Sequence, residues 1–370
     1  MSIVESKVEG YAKEITLRYP IDVPFDGKEI RLTLDNFTGT EEVSFETVSV
    51  GIMGKDQNVL KGSIKKLTFN GENNLKLKPR ENKQSDPIQL EMKKGDCLAI
   101  SIYIKDYAQM RSGVLTFGPL SRGFYSIGDQ SETEALPPKM TRDLACVYFL
   151  SRVDIYCDEM NQCLICYGDS ITAQAWSEHL KLMYMEKGEN TTTVRKGISG
   201  SRILRQYDNL HYESFGFRGL DRFEHEIDVC GAKAVIILHG INDIIQPVGI
   251  DVNPFRPWDE MPDLNELIEG LSFYIQKAKE RGLKVYMGTL LPMEGWRTYA
   301  TFRNELRKSL NEWIRNNKEI DGYIDFDAKM RDSAYENRLN PLYDSGDHLH
   351  PNDEGHKKMA EIVYQYMKDE

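Results

Sequence analysis

The stretch CLICYGDS at residues 163–170 is an apolar run that ends in a glycine, an aspartate and a serine. A short apolar run that meets a turn signal is typical of a buried β-strand. A plausible helix pattern follows it, so we expect the hydroxyl of Ser170 to lie where a strand ends and a helix begins.

The residues after Asn161 alternate between strand and helix patterns. The strand candidates are residues 163–167, 191–196, 233–239, 284–290 and 322–326. Apolar stripes with helical spacing occur at residues 264–278, 302–314 and 359–367. This alternation predicts a parallel sheet covered by helices on both faces. Ligands bind outside the carboxyl ends of the strands in such sheets, and Ser170 follows one of those ends.

The first hundred residues follow a different pattern, in which apolar and polar residues alternate with period two. Residues 30–35, 48–52 and 97–104 are the clearest runs, and Asp26-Gly27 and Asn70-Gly71 are turn signals between runs. Period-two runs separated by turns predict a β-sandwich or a jelly roll.

The periodicity fades between residues 105 and 145, where glycines and prolines interrupt it, so a long loop is expected there. Residues 147–156 then look like one more strand, which closes the first domain. We therefore expect an N-terminal β-sandwich domain at residues 1–158 and an α/β domain at residues 159–370.

The composition excludes some classes of partner. The 370 residues carry a formal net charge of −11 at pH 7, and a phosphate backbone would repel such a surface, so no nucleic-acid partner is expected. No apolar stretch is long enough to span a bilayer, and the first seven residues lack the apolar core of a secretory signal. We expect a cytoplasmic protein with no membrane partner, while the sequence leaves the oligomeric state open.

The six cysteines include Cys163 and Cys166, which form a C-x-x-C pattern inside the apolar run. No second pair supports a zinc site, so buried thiols explain the pattern better than redox chemistry or metal binding. No acidic or histidine cluster has the spacing of metal ligands, and we predict no metal and no other cofactor.

A carboxylate and an imidazole near the C-terminus can complete the chemistry of Ser170. Asp347 and His350 are three residues apart, so one short loop can present both side chains to the same cleft. A serine hydroxyl is a poor nucleophile until a base removes its proton. His350 can act as that base, and Asp347 can hold the imidazole in the required tautomer.

Acyl transfer through a serine also needs hydrogen-bond donors for the oxyanion of the tetrahedral intermediate. Ser170 can offer its own backbone N–H at the start of a helix. Gly200 can bring a second backbone N–H close because it has no Cβ. Asn242, in the segment GIND after a buried strand, can supply a neutral side-chain amide.

These segments, in chain order, resemble the four blocks of the SGNH (GDSL) hydrolase family. The resemblance implies a flavodoxin-like three-layer domain with Ser170 as nucleophile, His350 as base and Asp347 as the residue that orients the base. It also implies an oxyanion hole formed by Ser170, Gly200 and Asn242.

Three further segments resemble the subgroup of this family that carries an N-terminal β-sandwich. They are RLTLDNFTGT at residues 31–40, GTLLP at 288–292 and YDSGD at 343–347. Two positions depart from the family pattern: Ile171 replaces the leucine of the family's short name, and Lys196 stands where many relatives have asparagine.

Each motif has a simpler alternative when it is taken alone. A Gly-Asp-Ser tripeptide is usually a turn, and an Asn-Asp pair after a strand is more often a helix cap. His348 competes with His350 for the role of base, but it directly follows Asp347, so its ring would point the other way more easily. His239, at the end of a buried strand, is better explained as a core histidine. Residue 172 is threonine, so the second glycine of a G-x-S-x-G elbow is missing and an α/β-hydrolase lipase is disfavoured.

The main hypothesis is a serine carboxylic-ester hydrolase that acts through an acyl-enzyme on small acyl esters, with acetylated carbohydrate as a candidate substrate. Arg202 and Trp296 are candidate substrate contacts, with solvation or core packing as the alternative for each. Two other functions stay open: an acyltransferase that uses the same residues, and a carbohydrate-binding protein whose hydrolase domain is silent.

Overall fold

A computed structural model describes residues 5–6, 10–54, 58–115 and 117–369. The chain divides into two compact units, Met1–Asn161 and Gln162–Glu370. The sequence predicted a division three residues earlier, after residue 158.

The first unit consists of strands. They are β1 (Glu5–Ser6), β2 (Tyr11–Ala12), β3 (Ile15–Asp22), β4 (Gly27–Asp35), β5 (Val43–Phe45), β6 (Thr47–Met53), β7 (Lys65–Lys66), β8 (Leu75–Leu77), β9 (Asn82–Gln84), β10 (Ile88–Met92), β11 (Cys97–Ile104), β12 (Ala108–Gln109), β13 (Ser112–Leu115), β14 (Phe124–Ile127), β15 (Thr141–Asp143), β16 (Cys146–Tyr148) and β17 (Leu150–Tyr156).

Two antiparallel sheets of this unit share one hydrophobic core. A six-stranded sheet has the order β15-β14-β3-β11-β6-β7, and a second sheet has the order β10-β4-β17 with β9 also paired to β4. Leu17 and Ile100 of the first sheet and Ile30 of the second belong to the same buried cluster. The predicted β-sandwich is confirmed, because each sheet buries one face of its alternating residues against the other. The jelly-roll connection stays a prediction.

Two predictions for this unit are wrong in detail. The segment 105–145 is not one long loop, because it contains β12, β13, β14 and β15. The strand predicted at 147–156 is two strands, β16 and β17, separated by Phe149. This residue has a φ of +62°, which breaks the extended conformation between them.

The second unit alternates strands with helices. Its elements are β18 (Gln162–Gly168), α1 (Ser170–Ala173), α2 (Trp176–Glu186), β19 (Thr191–Gly197), α3 (Gly219–Glu226), β20 (Ala232–Leu238), α4 (Ile241–Ile245), α5 (Leu264–Glu280), β21 (Lys284–Gly288), α6 (Thr301–Asn316), β22 (Gly322–Ile324), α7 (Phe326–Met330) and α8 (Asp353–Asp369), with short 3₁₀ helices at Glu213–Phe215 and Trp258–Glu260.

Five strands form one parallel sheet in the order β19-β18-β20-β21-β22. The register places Gly168 of β18 opposite Gly197 of β19 and Leu238 of β20. These three strands therefore end at the same level, and the loops that follow them begin side by side. The predicted parallel sheet is confirmed, and its aligned strand ends define the edge where ligands bind in such folds.

Helices bury the apolar runs of this sheet. Helix α2 packs against α8, and α5 packs against α3 and α6. Helix α5 starts with a capping box in which Asp263 and Glu266 satisfy each other's backbone N–H groups. Asn352, the predicted start of the last helix, accepts a hydrogen bond from the backbone N–H of Gly355 at 2.9 Å.

Cys163 and Cys166 lie within β18, three residues apart, so their side chains point to opposite faces of the sheet. The two sulfurs cannot bond to each other or share a metal ion in this conformation. Among the residues that the structure describes, no helix is both long enough and apolar enough to cross a membrane.

Candidate active site

The turn after β18 places Ser170 at the start of α1. The Asp169 side chain caps this short helix by accepting a hydrogen bond from the backbone N–H of Ile171 at 3.1 Å. Two glycines make the turn possible. A Cβ on Gly168 would overlap the carbonyl oxygen of Leu238, and a Cβ on Gly197 would overlap the backbone of Ala173. The strand ends and α1 thus approach each other as closely as backbones can, and Ser170 stays partly exposed.

Ser170, His350 and Asp347 form a continuous chain of hydrogen bonds. Ser170 Oγ lies 2.8 Å from His350 Nε2, although the two residues are 180 positions apart in sequence. His350 Nδ1 lies 2.6 Å from Asp347 Oδ2. A nucleophile, a base and a group that orients the base need contacts of this length.

The Asp347 carboxylate is also held by its own loop. Its Oδ1 accepts the backbone N–H of Leu349 at 2.9 Å and that of His350 at 2.8 Å. Partial burial raises the pKa of the Asp347 carboxyl, but the hydrogen bonds from His350 and Leu349 outweigh burial and the net pKa lies below its ordinary value. The carboxylate therefore stays charged when it accepts the imidazole N–H.

His348, the competing base, has its own carboxylate. Its Nδ1 lies 2.7 Å from Asp344 Oδ2, and its backbone N–H donates to Asp344 Oδ1 at 3.0 Å. The residue has a φ of +65°, and its ring packs on Gly295, where a Cβ would overlap it. The left-handed conformation turns His348 away from the direction of His350, as the spacing argument expected.

Gly200 and Asn242 follow the two strands that flank β18 in the sheet, β19 and β20. Gly200 has a φ of +78°, and a Cβ at this position would overlap the ring of Phe215. Asn242 lies in the first turn of α4 and is 5% exposed. Its Nδ2 donates to the backbone carbonyl of Ser201 at 3.1 Å, which fixes the orientation of the amide.

The two candidate substrate contacts lie in different environments. Trp296 packs edge-to-face against the ring of His350, with the ring centroids 5.9 Å apart. Its buried Nε1 has no hydrogen-bond partner. Arg202 is buried and forms a salt bridge of 2.6 Å with Glu260. Its guanidinium also lies over the ring of Tyr207, 4.3 Å from the centroid.

Sequence reasoning missed two buried carboxyl groups beside the strand ends. The pKa of the Asp169 carboxyl is raised to about 7. Burial is the main cause and the neighbouring charge of Asp243 adds to it, while the hydrogen bond from Ile171 opposes the rise. Burial also raises the pKa of Asp243 to about 6, while the backbone N–H groups of Ile203 and Leu204 oppose that rise. Their positions after strands were visible in the sequence, but no local pattern reports that both are buried.

Reasoning from sequence also missed a buried cluster of basic side chains behind this edge. Arg222 is fully buried, and its Nη2 donates to the carbonyl of Gly168 at 2.9 Å. Lys196, which stands where many relatives have asparagine, lies 3.8 Å from the carboxylate of Glu226. Glu226 also accepts from Arg222 Nη1 at 3.0 Å, so one carboxylate serves both cations. Within the described ranges, no group of three or more histidine, cysteine, aspartate or glutamate side chains could hold a metal ion.

The order and spacing of these residues agree with a known family. The family model for GDSL-like lipases and acylhydrolases matches residues 166–358, which is more than half of the chain. The chain belongs to this family. The resemblance inferred from four short blocks is thereby confirmed, and the protein is a hydrolase of the GDSL-like family.

Solved structures of GDSL-like hydrolases are similar to the second half of the chain. A GDSL-like lipase from Bacteroides thetaiotaomicron is 20% identical, with a TM-score of 0.39 over 56% of this chain and 88% of that one. The esterase EstA from Pseudoalteromonas sp. is 15% identical, with a TM-score of 0.40 over 56% and 98% of the two chains. The acetyl xylan esterase AlAXEase is 18% identical, with a TM-score of 0.41 over 55% and 98%. A search of curated proteins finds no match to this GDSL-like hydrolase.

Proposed function

We propose that the protein is a serine carboxylic-ester hydrolase that acts on small acyl esters through an acyl-enzyme. The observation that carries this proposal is the unbroken chain from Ser170 Oγ to His350 Nε2 at 2.8 Å and from His350 Nδ1 to Asp347 Oδ2 at 2.6 Å. Family membership supports acyl hydrolysis in general, and this chain of contacts supports a serine ester mechanism in particular.

In the first step, Ser170 Oγ attacks the ester carbonyl while His350 Nε2 takes the hydroxyl proton. The imidazolium that forms donates its Nδ1–H to Asp347, whose carboxylate is charged. His350 then gives the Nε2 proton to the departing alcohol oxygen, and the acyl group stays on Ser170. In the second step, a water molecule replaces the alcohol, gives a proton to His350 and releases the acid, after which the proton returns to Ser170.

Three donors can stabilise the oxyanion in both steps. Ser170 and Gly200 each offer a backbone N–H, and Asn242 offers its side-chain amide. Because Asn242 Nδ2 carries two hydrogens and donates one to Ser201, the second is available for the developing negative charge. Neutral donors that are already oriented stabilise the transition state without reorganising during the reaction.

The aromatic surroundings support a small acyl group and a carbohydrate alcohol as the substrate. Trp296 lies against His350, and Phe215 lies against Gly200, so a ring flanks each of these two proposed catalytic residues. Rings of this kind pack against short apolar chains and against the flat faces of sugars. We propose acetylated carbohydrate as the first substrate to test and Trp296 as a contact to it. A substrate contact by Arg202, and a cytoplasmic location, stay predictions.

A fluorophosphonate probe tests the central claim, because it reacts preferentially with an activated serine. We expect the wild-type protein to be labelled, and we expect Ser170→Ala to lose both the label and ester hydrolysis. Equal labelling of wild type and Ser170→Ala would refute the proposal, as would an unlabelled wild type, which would favour the silent-hydrolase alternative.

A substrate screen then narrows the chemistry. We expect hydrolysis of p-nitrophenyl esters to fall as the acyl chain lengthens, and we expect acetate release from acetylated sugars. The same assays with an added acceptor alcohol separate a hydrolase from an acyltransferase. Free acid as the main product supports the hydrolase, whereas a new ester as the main product would favour the acyltransferase instead.

A further inference from the structure

The backbone carbonyl of Ser201 links two of the proposed oxyanion donors. Ser201 directly follows Gly200 in the chain, and its carbonyl oxygen accepts a hydrogen bond from Asn242 Nδ2 at 3.1 Å. The same oxygen lies 3.2 Å from His239 Nε2. A shift of this carbonyl would displace the segment that carries Gly200 and would release the amide of Asn242.

His239 has a hydrogen-bond partner at each ring nitrogen. A carbonyl oxygen only accepts hydrogen bonds, so a bond from His239 to the Ser201 carbonyl needs a hydrogen on Nε2. The other ring nitrogen, Nδ1, then accepts, and the hydroxyl of Tyr274 lies 3.1 Å from it. Burial and the positive charge of Arg222 hold the pKa of His239 well below its ordinary value. The ring is therefore neutral and carries a single N–H. Placed on Nε2, this hydrogen faces both oxygens of Ser201, the carbonyl at 3.2 Å and the hydroxyl at 3.1 Å.

Arg222 connects this arrangement to the nucleophile strand. Its Nη2 donates to the carbonyl of Gly168 at 2.9 Å and lies 3.1 Å from the Ser201 hydroxyl. Gly168 is the last residue of β18, two positions before Ser170. One buried guanidinium thus ties the turn that presents Ser170 to the segment that presents Gly200.

His239 and Ser201 are not a second catalytic pair, although Ser201 Oγ lies 3.1 Å from His239 Nε2. Both side chains are 2% exposed, so no substrate can reach the hydroxyl. In the tautomer with its hydrogen on Nε2, the ring also cannot accept the proton of a serine at that atom. The contact fits a structural hydrogen bond that holds the segment in place.

We infer that His239 is a positioning residue, whose Nε2–H holds the Ser201 carbonyl and thereby orients the Asn242 amide and the Gly200 segment toward the oxyanion. This inference rests on the proposed function, because it assigns a purpose to donors that act only in acyl transfer. Removal of the N–H should loosen the donors in the transition state, so it should lower kcat and leave KM nearly unchanged.

A matched pair of variants separates the N–H from the volume of the side chain. His239→Gln and His239→Met have side chains of similar length, but only glutamine has a hydrogen-bond donor. We expect His239→Met to lower kcat by about tenfold to a hundredfold with KM changed less than about threefold. His239→Gln should recover most of that loss. Each kcat is counted per active site by titration with the fluorophosphonate, so partial unfolding does not enter the comparison.

A double-mutant cycle tests whether the effect passes through Asn242. Asn242→Ala removes the amide, so only the part of the effect that passes through Gly200 remains, and His239→Met should lower kcat by a smaller factor in that background than in wild type. Losses that multiply in the double variant would overturn the inference, and so would equal kcat values for His239→Gln and His239→Met.

Nitrogen NMR of the wild-type protein provides a readout that does not depend on any variant folding. His239 should appear as a neutral ring with its hydrogen on Nε2 from pH 5 to pH 8. A ring that titrates in this range, or that carries its hydrogen on Nδ1, would overturn the inference. Ser170→Ala serves as the separate control: if it remains active, the proposed function fails before the role of His239 is in question.

Discussion

The imidazole of His348 is bound to Asp344, with 2.7 Å between His348 Nδ1 and Asp344 Oδ2, two residues away from the contact between His350 and Asp347. Two histidine–carboxylate pairs therefore lie in one loop of the chain. Only the His350 ring reaches Ser170, while the His348 side chain is half exposed and contacts Gly295. The loop itself is closed by a hydrogen bond of 3.0 Å from the backbone N–H of Ser345 to the carbonyl of His350.

This arrangement predicts opposite results for two equivalent substitutions. His350→Gln removes the base and should lower kcat for ester hydrolysis by about 10⁴-fold or more. His348→Gln should stay within about tenfold of wild type, because it disturbs only the loop. Steady-state kinetics on one p-nitrophenyl ester compares them. Similar losses of kcat in both variants would show that His350 was wrongly assigned as the base.

Asp347→Asn tests the role of the carboxylate without changing its size. An amide can donate to His350 Nδ1 and so move the ring hydrogen to Nε2, which then cannot accept the Ser170 proton. We expect kcat to fall by about 10²-fold to 10⁴-fold, with a smaller loss for the matched variant Asp344→Asn. The pKa of Asp347 lies below its ordinary value, so its carboxylate stays charged above pH 5. Any loss of activity between pH 5 and pH 7 should therefore come from another group, and a rate profile across this range in wild type checks that.

Gly200→Ala should damage the proposed oxyanion hole for two reasons. The φ of +78° costs a non-glycine residue about 1–2 kcal/mol, and the new Cβ would overlap the ring of Phe215. We expect kcat to fall by about a hundredfold as the N–H moves away. Adding Phe215→Ala should restore part of the activity, because it removes the overlap and leaves only the backbone strain. A wild-type kcat in Gly200→Ala alone would contradict the assignment of Gly200 to the oxyanion hole.

Asp169→Asn should change how stability depends on pH. The pKa of the Asp169 carboxyl is about 7 in the folded chain, compared with an ordinary value of 3.8. Below pH 4 the group is protonated in both states and contributes no pH dependence. Between pH 4 and pH 7 only the unfolded chain loses the proton, so the free energy of unfolding falls as pH rises, by about 4 kcal/mol in total. Above pH 7 this penalty is constant.

The asparagine variant has no such penalty, so its stability should vary less between pH 4 and pH 7 and should exceed that of wild type at pH 8. Urea unfolding followed by tryptophan fluorescence at pH 4, 6 and 8 measures the difference. Asp243, whose pKa is about 6, gives both proteins a smaller fall in the free energy of unfolding as pH rises. If the free energies of unfolding of Asp169→Asn and wild type differ by the same amount at all three pH values, the raised pKa of Asp169 is contradicted.

The longer strands and helices of the fold were predictable from local sequence patterns. The strands β18, β20 and β21 are short apolar runs, and α5, α6 and α8 carry apolar stripes at helical spacing, so each signals its own type. The strands β12 to β15 were missed because each has only two to four residues. Such strands are too short for alternation to be recognisable, and β14 pairs with β3, more than a hundred residues earlier, as well as with β15.

The proposed site residues were predictable because their chemistry and their positions after strands agreed. Arg222 and His239 were not recognised as neighbours of the site, because an arginine in a helix and a histidine after a strand have many uses. Their shared contact with Ser201 appears only when the second unit is folded.

The sequence by itself determined which segments become strands and helices and which reactive groups follow the strand ends, because periodicity and residue type are local properties. Only the tertiary structure decided that Ser170 and His350 meet across 180 residues, that His348 belongs to Asp344, and that Asp169 is buried. These outcomes depend on contacts between distant segments and on the exclusion of water from them. Neither quantity is encoded in any short stretch of the chain.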